Sequence, residues 1–274
     1  MNTTFIRQTG LLNWARRTFV RQFHKRVLKR DQVITLPSGR RMTLPLGSSF
    51  ASEIYVTGCN VDWGSEALFY AMLAGKGAFL DVGANIGYFS LYMAPRAAQT
   101  FAFEPDPRSI ARLESNLAGH DDIELVPMAV GREAGTAEFS LAGAPELSSL
   151  IAPSDSSDVE TLSVPVVTID GFVAERGLQV EAIKTDIEGF DLDALMAATK
   201  TLKNQRSLVL TEAPMSDELT ALAESVDYAI WCYAFDRKAG ALRFVEGKDL
   251  ASGESTKMLF LVPQERAAEL RSKA

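Results

Sequence analysis

The sequence predicts an α/β protein built on an open, mostly parallel sheet with helices on both faces. Three observations carry that prediction. From Phe79 onward, apolar runs alternate with helically spaced segments in the order β-α-β-α-β. The run Phe79-Leu80-Asp81-Val82 breaks into Gly83-Ala84-Asn85-Ile86-Gly87 and resumes as Tyr88-Phe89-Ser90-Leu91-Tyr92-Met93, which reads as strand, tight turn and helix. Asp81, Glu104, Met128, Asp186 and Glu212 all fall at the ends of predicted strands, the rim where ligands bind in sheets of this kind.

The chain has 274 residues, of which 47% are hydrophobic, enough for one domain with appendages or at most two. Its net charge of −7 argues against nucleic acid as a partner through bulk electrostatics. No apolar run approaches the ~20 residues that a membrane-spanning helix needs, and no secretory h-region follows the N-terminus. Cys59 and Cys232 stand alone, without metal-ligand spacing, which fits a reducing cytoplasm. A cytoplasmic location is therefore expected, with peripheral membrane contact left open by the N-terminal residues.

Residues 1–30 hold eight of the 28 Lys and Arg residues and no acid, leaving 20 basic against 35 acidic residues in the rest. Leu12, Ala15, Phe19, Phe23 and Val27 recur at three- and four-residue steps, and most of the cations fall elsewhere on the wheel. This basic amphipathic helix has three readings: packing on the body of the protein or on a second subunit, attachment to an anionic membrane surface, or a mitochondrial transit peptide. Residues 31–75 read as an N-terminal hairpin and helix packing on the main domain, 76–274. Val33–Leu36 and Arg41–Leu44 form the hairpin around Pro37-Ser38-Gly39, and residues 31–60 as a whole read as short strands. A helix over Ala67–Leu73 follows, with Ser65 as its N-cap.

Beyond the central turn, Gln99–Phe103 is the second strand and Ile123–Val126 the third, with a helix over Arg108–Leu117 between them that has Pro107 near its start. Thr136–Leu141 and Leu162–Val167 read as strands flanking a polar loop, Ser148–Glu160, which is either a mobile lid or a solvated linker. Val180–Asp186 is the fourth strand, Leu192–Thr199 a helix, Ser207–Leu210 the fifth strand and Asp217–Val226 another helix. Tyr228–Ala234 and Met258–Val262 close the sheet as an antiparallel pair.

A Gly-containing turn at a helix start leaves backbone N–H groups unpaired and lets a ligand lie against the chain, and an adenosine cofactor is its usual occupant. Glu104, 17 residues after Gly87, sits where ribose hydroxyls need an acceptor. An NAD-dependent oxidoreductase would use the same two features, but the third glycine of its fingerprint is missing and no Tyr-x-x-x-Lys pair occurs. A non-catalytic cofactor- or glycan-binding module is a further alternative.

Four motifs in order, D-V-G-A-N-I-G-Y, F-E-P-D-P, S-S-L at Ser148–Leu150 and I-K-T-D-I-E-G, resemble the FkbM-type S-adenosylmethionine-dependent methyltransferases from about Ser52 to Pro214. The resemblance implies a Rossmann-like class I methyltransferase sheet with an antiparallel final strand. It also implies S-adenosyl-L-methionine as cofactor and O-methylation of a hydroxyl on a sugar, glycan or secondary metabolite. By the same resemblance, Asp81, Gly83, Ala84, Asn85 and Gly87 would hold the methionine part, Glu104 the ribose, and Met128 and Ala129 the adenine. Asp186 would face the sulfonium and the substrate. Phe190 departs from the commoner I-D-V-E-G-A pattern and is expected to reshape the pocket.

An alcohol acceptor needs somewhere for its proton to go. His24 lies in the basic helix and His120 in a surface-type loop, so a carboxylate, Asp186 or Glu188, is the expected proton acceptor. Glu188 reads equally as a salt-bridge or helix-start acid. No His, Cys and carboxylate cluster has ligand spacing, so no metal is expected. Tyr55, Trp63 and Glu66 precede the turn and are candidates for the pocket wall.

Overall fold

The structure is a computed structural model that describes residues 6, 9–141 and 160–274. The chain opens with helix α1 (Leu11–Phe23), a π-turn over His24–Leu28, and a hairpin of β1 (Gln32–Thr35) and β2 (Arg41–Leu44). Helices α2 (Ser49–Thr57) and α3 (Ser65–Met72) lead into β3 (Ala78–Val82), followed by α4 (Tyr88–Met93), β4 (Gln99–Phe103), α5 (Pro107–Leu117) and β5 (Ile123–Val126). Strands β6 (Ala129–Val130), β7 (Gly135–Leu141) and β8 (Glu160–Val167) precede α6 (Ile169–Arg176) and β9 (Val180–Thr185). Then come α7 (Asp191–Met196), α8 (Thr199–Gln205), β10 (Leu208–Thr211), α9 (Asp217–Ser225), β11 (Tyr228–Asp236), β12 (Ala241–Glu246), β13 (Glu254–Ser255), β14 (Leu259–Pro263) and α10 (Ala267–Lys273).

The main sheet runs β12-β11-β14-β10-β9-β3-β4-β5, with β13 also paired to β11. Strands β5, β4, β3, β9 and β10 are parallel neighbours, while β14 lies antiparallel between β10 and β11. This is the expected Rossmann-like, mostly parallel sheet with an antiparallel final strand. Every residue of β3 is buried, as a central parallel strand covered on both faces requires. Phe79 packs on one side with Leu68, Phe69, Tyr88, Leu91 and Leu113. Its neighbours Leu80 and Val82 pack on the other with Phe172, Val173, Leu195 and Leu202. The alternation of the strand thus separates two helix layers.

Register sets the rim. Val82 pairs with Phe103 and with Thr185, and Thr185 with Thr211. One residue further on, the chain reaches Gly83, Glu104, Asp186 and Glu212, four residues brought side by side from strands up to 129 positions apart. The ladder continues into them: Asp186 N–H donates to Val82 O at 3.1 Å, Glu104 N–H to Val126 O at 3.1 Å and Glu212 N–H to Thr185 O at 3.1 Å.

Several local expectations need correction. Residues 49–57 are helical, not strand: Ser48 caps them by accepting from Ala51 N–H, and Gly58 ends them at φ 71°. Ser65 is the first residue of α3 and not its N-cap, which is Gly64 at φ 102°. The helix expected over 192–199 is two short helices, α7 and α8. Strand β12 extends the sheet beyond the predicted closing pair. Ser148–Leu150 and nearly all of the loop Ser148–Glu160 lie outside the described residues.

Helix α1 is turned opposite to the packing that its stripe suggests. Arg21 is 1% exposed and donates to Pro45 O (2.6 Å), Leu44 O (3.3 Å) and Ser52 Oγ (3.2 Å). Arg17 donates to Tyr55 O at 2.8 Å. The body presents carbonyls at this surface, and a guanidinium satisfies several of them at once. Arg17 and Arg21 therefore face inward, and Leu12 (86% exposed), Phe19 (71%) and Val27 (62%) face outward.

Candidate functional site

A cavity of ≈ 360 Å³ opens at the shared rim of β3, β4, β9 and β10. Gly83, Ala84, Asn85, Glu104, Met128 and Ala129 line one part, and Asp186, Glu188, Glu212 and Lys184 another. Eight of the ten residues expected at the site are brought together there. Asp81 and Gly87 are not among the wall residues, and each has a supporting place instead. Asp81 is fully buried below the turn, where it accepts from Ser90 Oγ at 2.5 Å and lies 3.6 Å from Lys184 Nζ. Gly87 starts α4 at φ 88°, and a Cβ there would meet Leu113 at 2.8 Å.

The turn is shaped by close approach. A Cβ on Gly83, at φ 81°, would stand 2.0 Å from the carbonyl oxygen of Asp186, so no other residue fits between β3 and the end of β9. Asn85 also takes a left-handed conformation, φ 50°, which Asn tolerates better than most residues. Gly83 O accepts from Lys184 Nζ at 3.0 Å, which fastens the turn from beneath.

Glu104 is 7% exposed, and its carboxylate accepts from Asn85 N–H at 2.8 Å and from Asp106 N–H at 2.9 Å. Each oxygen uses one acceptor site on the backbone and retains another. Burial pushes the carboxyl up to about 7, against the opposing effect of those two N–H donors. A ligand presenting two hydroxyl donors and a positive charge meets the unspent capacity of this group.

Lys184 is buried between Asp81 and Asp186, 3.6 and 3.5 Å away, with its ammonium 5.2 Å from the centre of the Phe89 ring. Burial works against its charge, but the carboxylates of Asp186 and Asp81 outweigh it and hold Lys184 above its ordinary value. Burial likewise opposes ionisation of Asp186. Lys184 and a hydrogen bond from Glu212 prevail, so Asp186 stays ionised below the usual carboxylate range. Glu212 carries the complementary burden: burial, then its contact with Asp186, pushes it up to about 9. Of the pair, Glu212 is held toward its protonated form and Asp186, which faces the cavity, toward its carboxylate. Glu188 stands at the rim at φ 50°, with its carboxyl raised by burial and by Asp186.

Helix α2 closes a further wall with Ser49, Phe50 and Glu53, and Lys257, from just before β14, donates to Val61 O at 2.7 Å and to Glu53 at 3.0 Å. Lys257 carries no signal in the sequence, because only the antiparallel return of β14 brings it here. Tyr55, Trp63 and Glu66 do not line the cavity. Tyr55 receives Arg17, Trp63 packs on Phe235 at 5.5 Å, and Glu66, 1% exposed, accepts from the Asp62 N–H and Tyr88 hydroxyl behind the wall. His120 contacts Arg40 near the hairpin, and His24 is in the N-terminal π-turn. Among the described residues, no three His, Cys, Asp or Glu side chains form a metal-ligand group. None of the described helices is long and apolar enough to cross a membrane.

Residues 81–228 match the model of the methyltransferase FkbM domain. The chain is 27% identical over 169 residues to the hexuronic acid methyltransferase AglP of Haloferax volcanii, a match covering 55% of this chain and 68% of that protein. It is 28% identical over 145 residues to the 2-O-methyltransferase NoeI of Sinorhizobium fredii, covering 46% of this chain and 59% of the relative. Among solved structures, an FkbM methyltransferase from Methylobacillus flagellatus aligns over 77% of this chain and 52% of its own, with a TM-score of 0.44 and 16% identity. The family model covers more than half of the chain and includes the Gly83 turn, Glu104, Asp186 and Glu212: the protein is a methyltransferase and belongs to the FkbM methyltransferase family.

Proposed function

We propose that the protein is an S-adenosylmethionine-dependent O-methyltransferase acting on a hydroxyl of a sugar or glycan. In this reading residues 76–274 are the methyl-transfer unit, and 31–75 supply the α2 wall of its cavity. The observation that carries the reading is the register-matched rim. It sets the carboxyl groups of Glu104 and Asp186 on either side of a turn that excludes every side chain at Gly83, which supports a ribose acceptor on one side and a proton acceptor on the other. The names of the two relatives, one a hexuronic acid methyltransferase and one a 2-O-methyltransferase, support a sugar hydroxyl as acceptor.

S-adenosylmethionine, when bound, supplies an electrophilic methyl on a sulfonium. The residues of the chain do the rest. Glu104 holds the ribose hydroxyls through the acceptor sites that its two backbone bonds leave open. Met128 and Ala129, beside Phe103 and Val130, form an apolar wall for the adenine. Asp186 holds negative charge next to the positive methyl donor and takes the acceptor proton. A carboxylate this weakly basic suffices, because an alcohol oxygen becomes strongly acidic as its bond to the methyl forms. Glu188, on the rim, orients the acceptor.

The test is transfer of labelled methyl from S-adenosylmethionine to a panel of sugars and uronic acids. Wild type should label at least one, and Asp186→Asn should lower turnover by about 10²–10⁴-fold with cofactor affinity nearly unchanged. Labelling that survives in Asp186→Asn at the wild-type rate, or a wild-type enzyme that needs an added divalent ion after EDTA, would refute the mechanism.

A further inference from the structure

The outward face of α1 is an apolar stripe that no other described residue covers. Leu12, Phe19 and Phe23 lie on one side of the helix, 86%, 71% and 41% exposed, and the Phe19 and Phe23 rings stack at 6.4 Å. Leu11 and Val27 extend the stripe at either end, 60% and 62% exposed. A run of large side chains this open on an ordered helix marks an interaction surface. It is held outward from within: the Arg17 and Arg21 bonds to α2 and to the Leu44-Pro45 carbonyls leave the helix no rotation that would bury it.

The charges beside the stripe identify what it fits. Arg16, Arg26, Lys29 and Arg30 are exposed on the same segment, and no acid occurs before Asp31, which is engaged by Arg112 at 3.1 Å. Apolar side chains flanked by cations are the signature of a helix lying in the headgroup region of an anionic bilayer, where each Lys or Arg near the surface adds to the apolar burial. A symmetric pairing of two α1 helices would instead set Arg16 and Arg26 of one copy against those of the other, with no acid on the helix to offset them.

We propose that α1 and the turn that follows it dock the protein on an anionic lipid surface. Because α2 carries the Arg17 and Arg21 anchors on one face and Ser49, Phe50 and Glu53 of the cavity wall on the other, docking fixes the orientation of the cavity relative to the lipid plane.

Flotation of the full chain with vesicles of phosphatidylcholine alone, and with phosphatidylglycerol added, tests this. Wild type should float only with the anionic vesicles, and added salt should release it. Phe19→Ser with Phe23→Ser should lower the bound fraction by about tenfold or more while keeping the wild-type melting midpoint, since both rings are exposed. Leu12→Ser and Arg16→Glu should each weaken binding on their own. Failure of wild type to float with anionic vesicles would overturn the proposal, as would equal flotation of the Phe variant. Sedimentation that shows a wild-type dimer dissolved by the same two substitutions would assign the stripe to a second copy and overturn it too. None of these outcomes depends on methyl transfer.

Discussion

The ionisation of Glu104 makes cofactor affinity a function of pH, and the size of the effect follows from its surroundings. Burial raises the carboxyl from 4.5 to about 7, so in the free protein it is largely protonated below neutrality. Ribose hydroxyls donate, and the sulfonium is positive, so S-adenosylmethionine favours the ionised form. Binding at low pH must therefore expel the Glu104 proton. With a free-protein value near 7, affinity at pH 5.5 should be about 30-fold weaker than above pH 8.5, or about 2 kcal/mol, and flat beyond that. Glu104→Gln has no proton to lose, so its affinity should be lower at pH 8 by about 1.5–3 kcal/mol and should lack this slope. Isothermal calorimetry in two buffers of different ionisation heat would measure both the affinity and the protons released. The same raised value has a consequence for folding. The folded chain holds a proton that the unfolded chain releases between pH 4.5 and about 7, so the contribution of Glu104 to stability is full below 4.5 and is lost as the pH rises through 7. A wild-type affinity independent of pH, or a slope that persists in Glu104→Gln, would show that the Glu104 proton does not control binding.

Two further outcomes follow from the rim. Gly83→Ala forces a Cβ to within 2.0 Å of Asp186 O at φ 81°, which should cost about 2–5 kcal/mol in denaturant unfolding; a wild-type midpoint would show that β3 and β9 separate easily. Glu212→Ala removes the donor that helps keep Asp186 ionised, so the acid limb of the turnover–pH profile should move upward, whereas Glu212→Gln keeps a donor and should return that limb toward wild type. An unmoved acid limb in Glu212→Ala would separate Glu212 from the Asp186 charge.

The parallel half of the sheet was legible because buried parallel strands read as unbroken apolar runs, and the turn at Gly83 punctuates the first of them. The same runs located the rim, since a strand end is visible in sequence and neighbouring ends share a level. What lay hidden was what depends on side-chain direction in three dimensions. Asp81 and Gly83 are two positions apart, yet the first lies below the turn with Lys184 and the second beside the cavity. Lys184 sits within a predicted strand, where an ammonium reads as a surface residue until two carboxylates are seen to enclose it. Residues 49–57 show little helical periodicity, and Ser48 with Gly58, the cap and the stop, carried the only helix signal there. The helix wheel of α1 gathered Leu12, Phe19, Phe23 and Val27 on one side, as the structure has them. It could not tell which side faced the body, because carbonyls at Leu44, Pro45 and Tyr55 compete with the ordinary preference for apolar burial.

In this reading the rim of β3, β4 and β9 holds S-adenosylmethionine through Glu104. Calorimetric titration of the wild-type chain with S-adenosylmethionine and, separately, with NAD measures this. S-adenosylmethionine should bind one-to-one and NAD not at all, and Glu104→Ala should lose about 1.5–3 kcal/mol. Binding of NAD without S-adenosylmethionine, or S-adenosylmethionine binding that Glu104→Ala leaves unchanged, would contradict it.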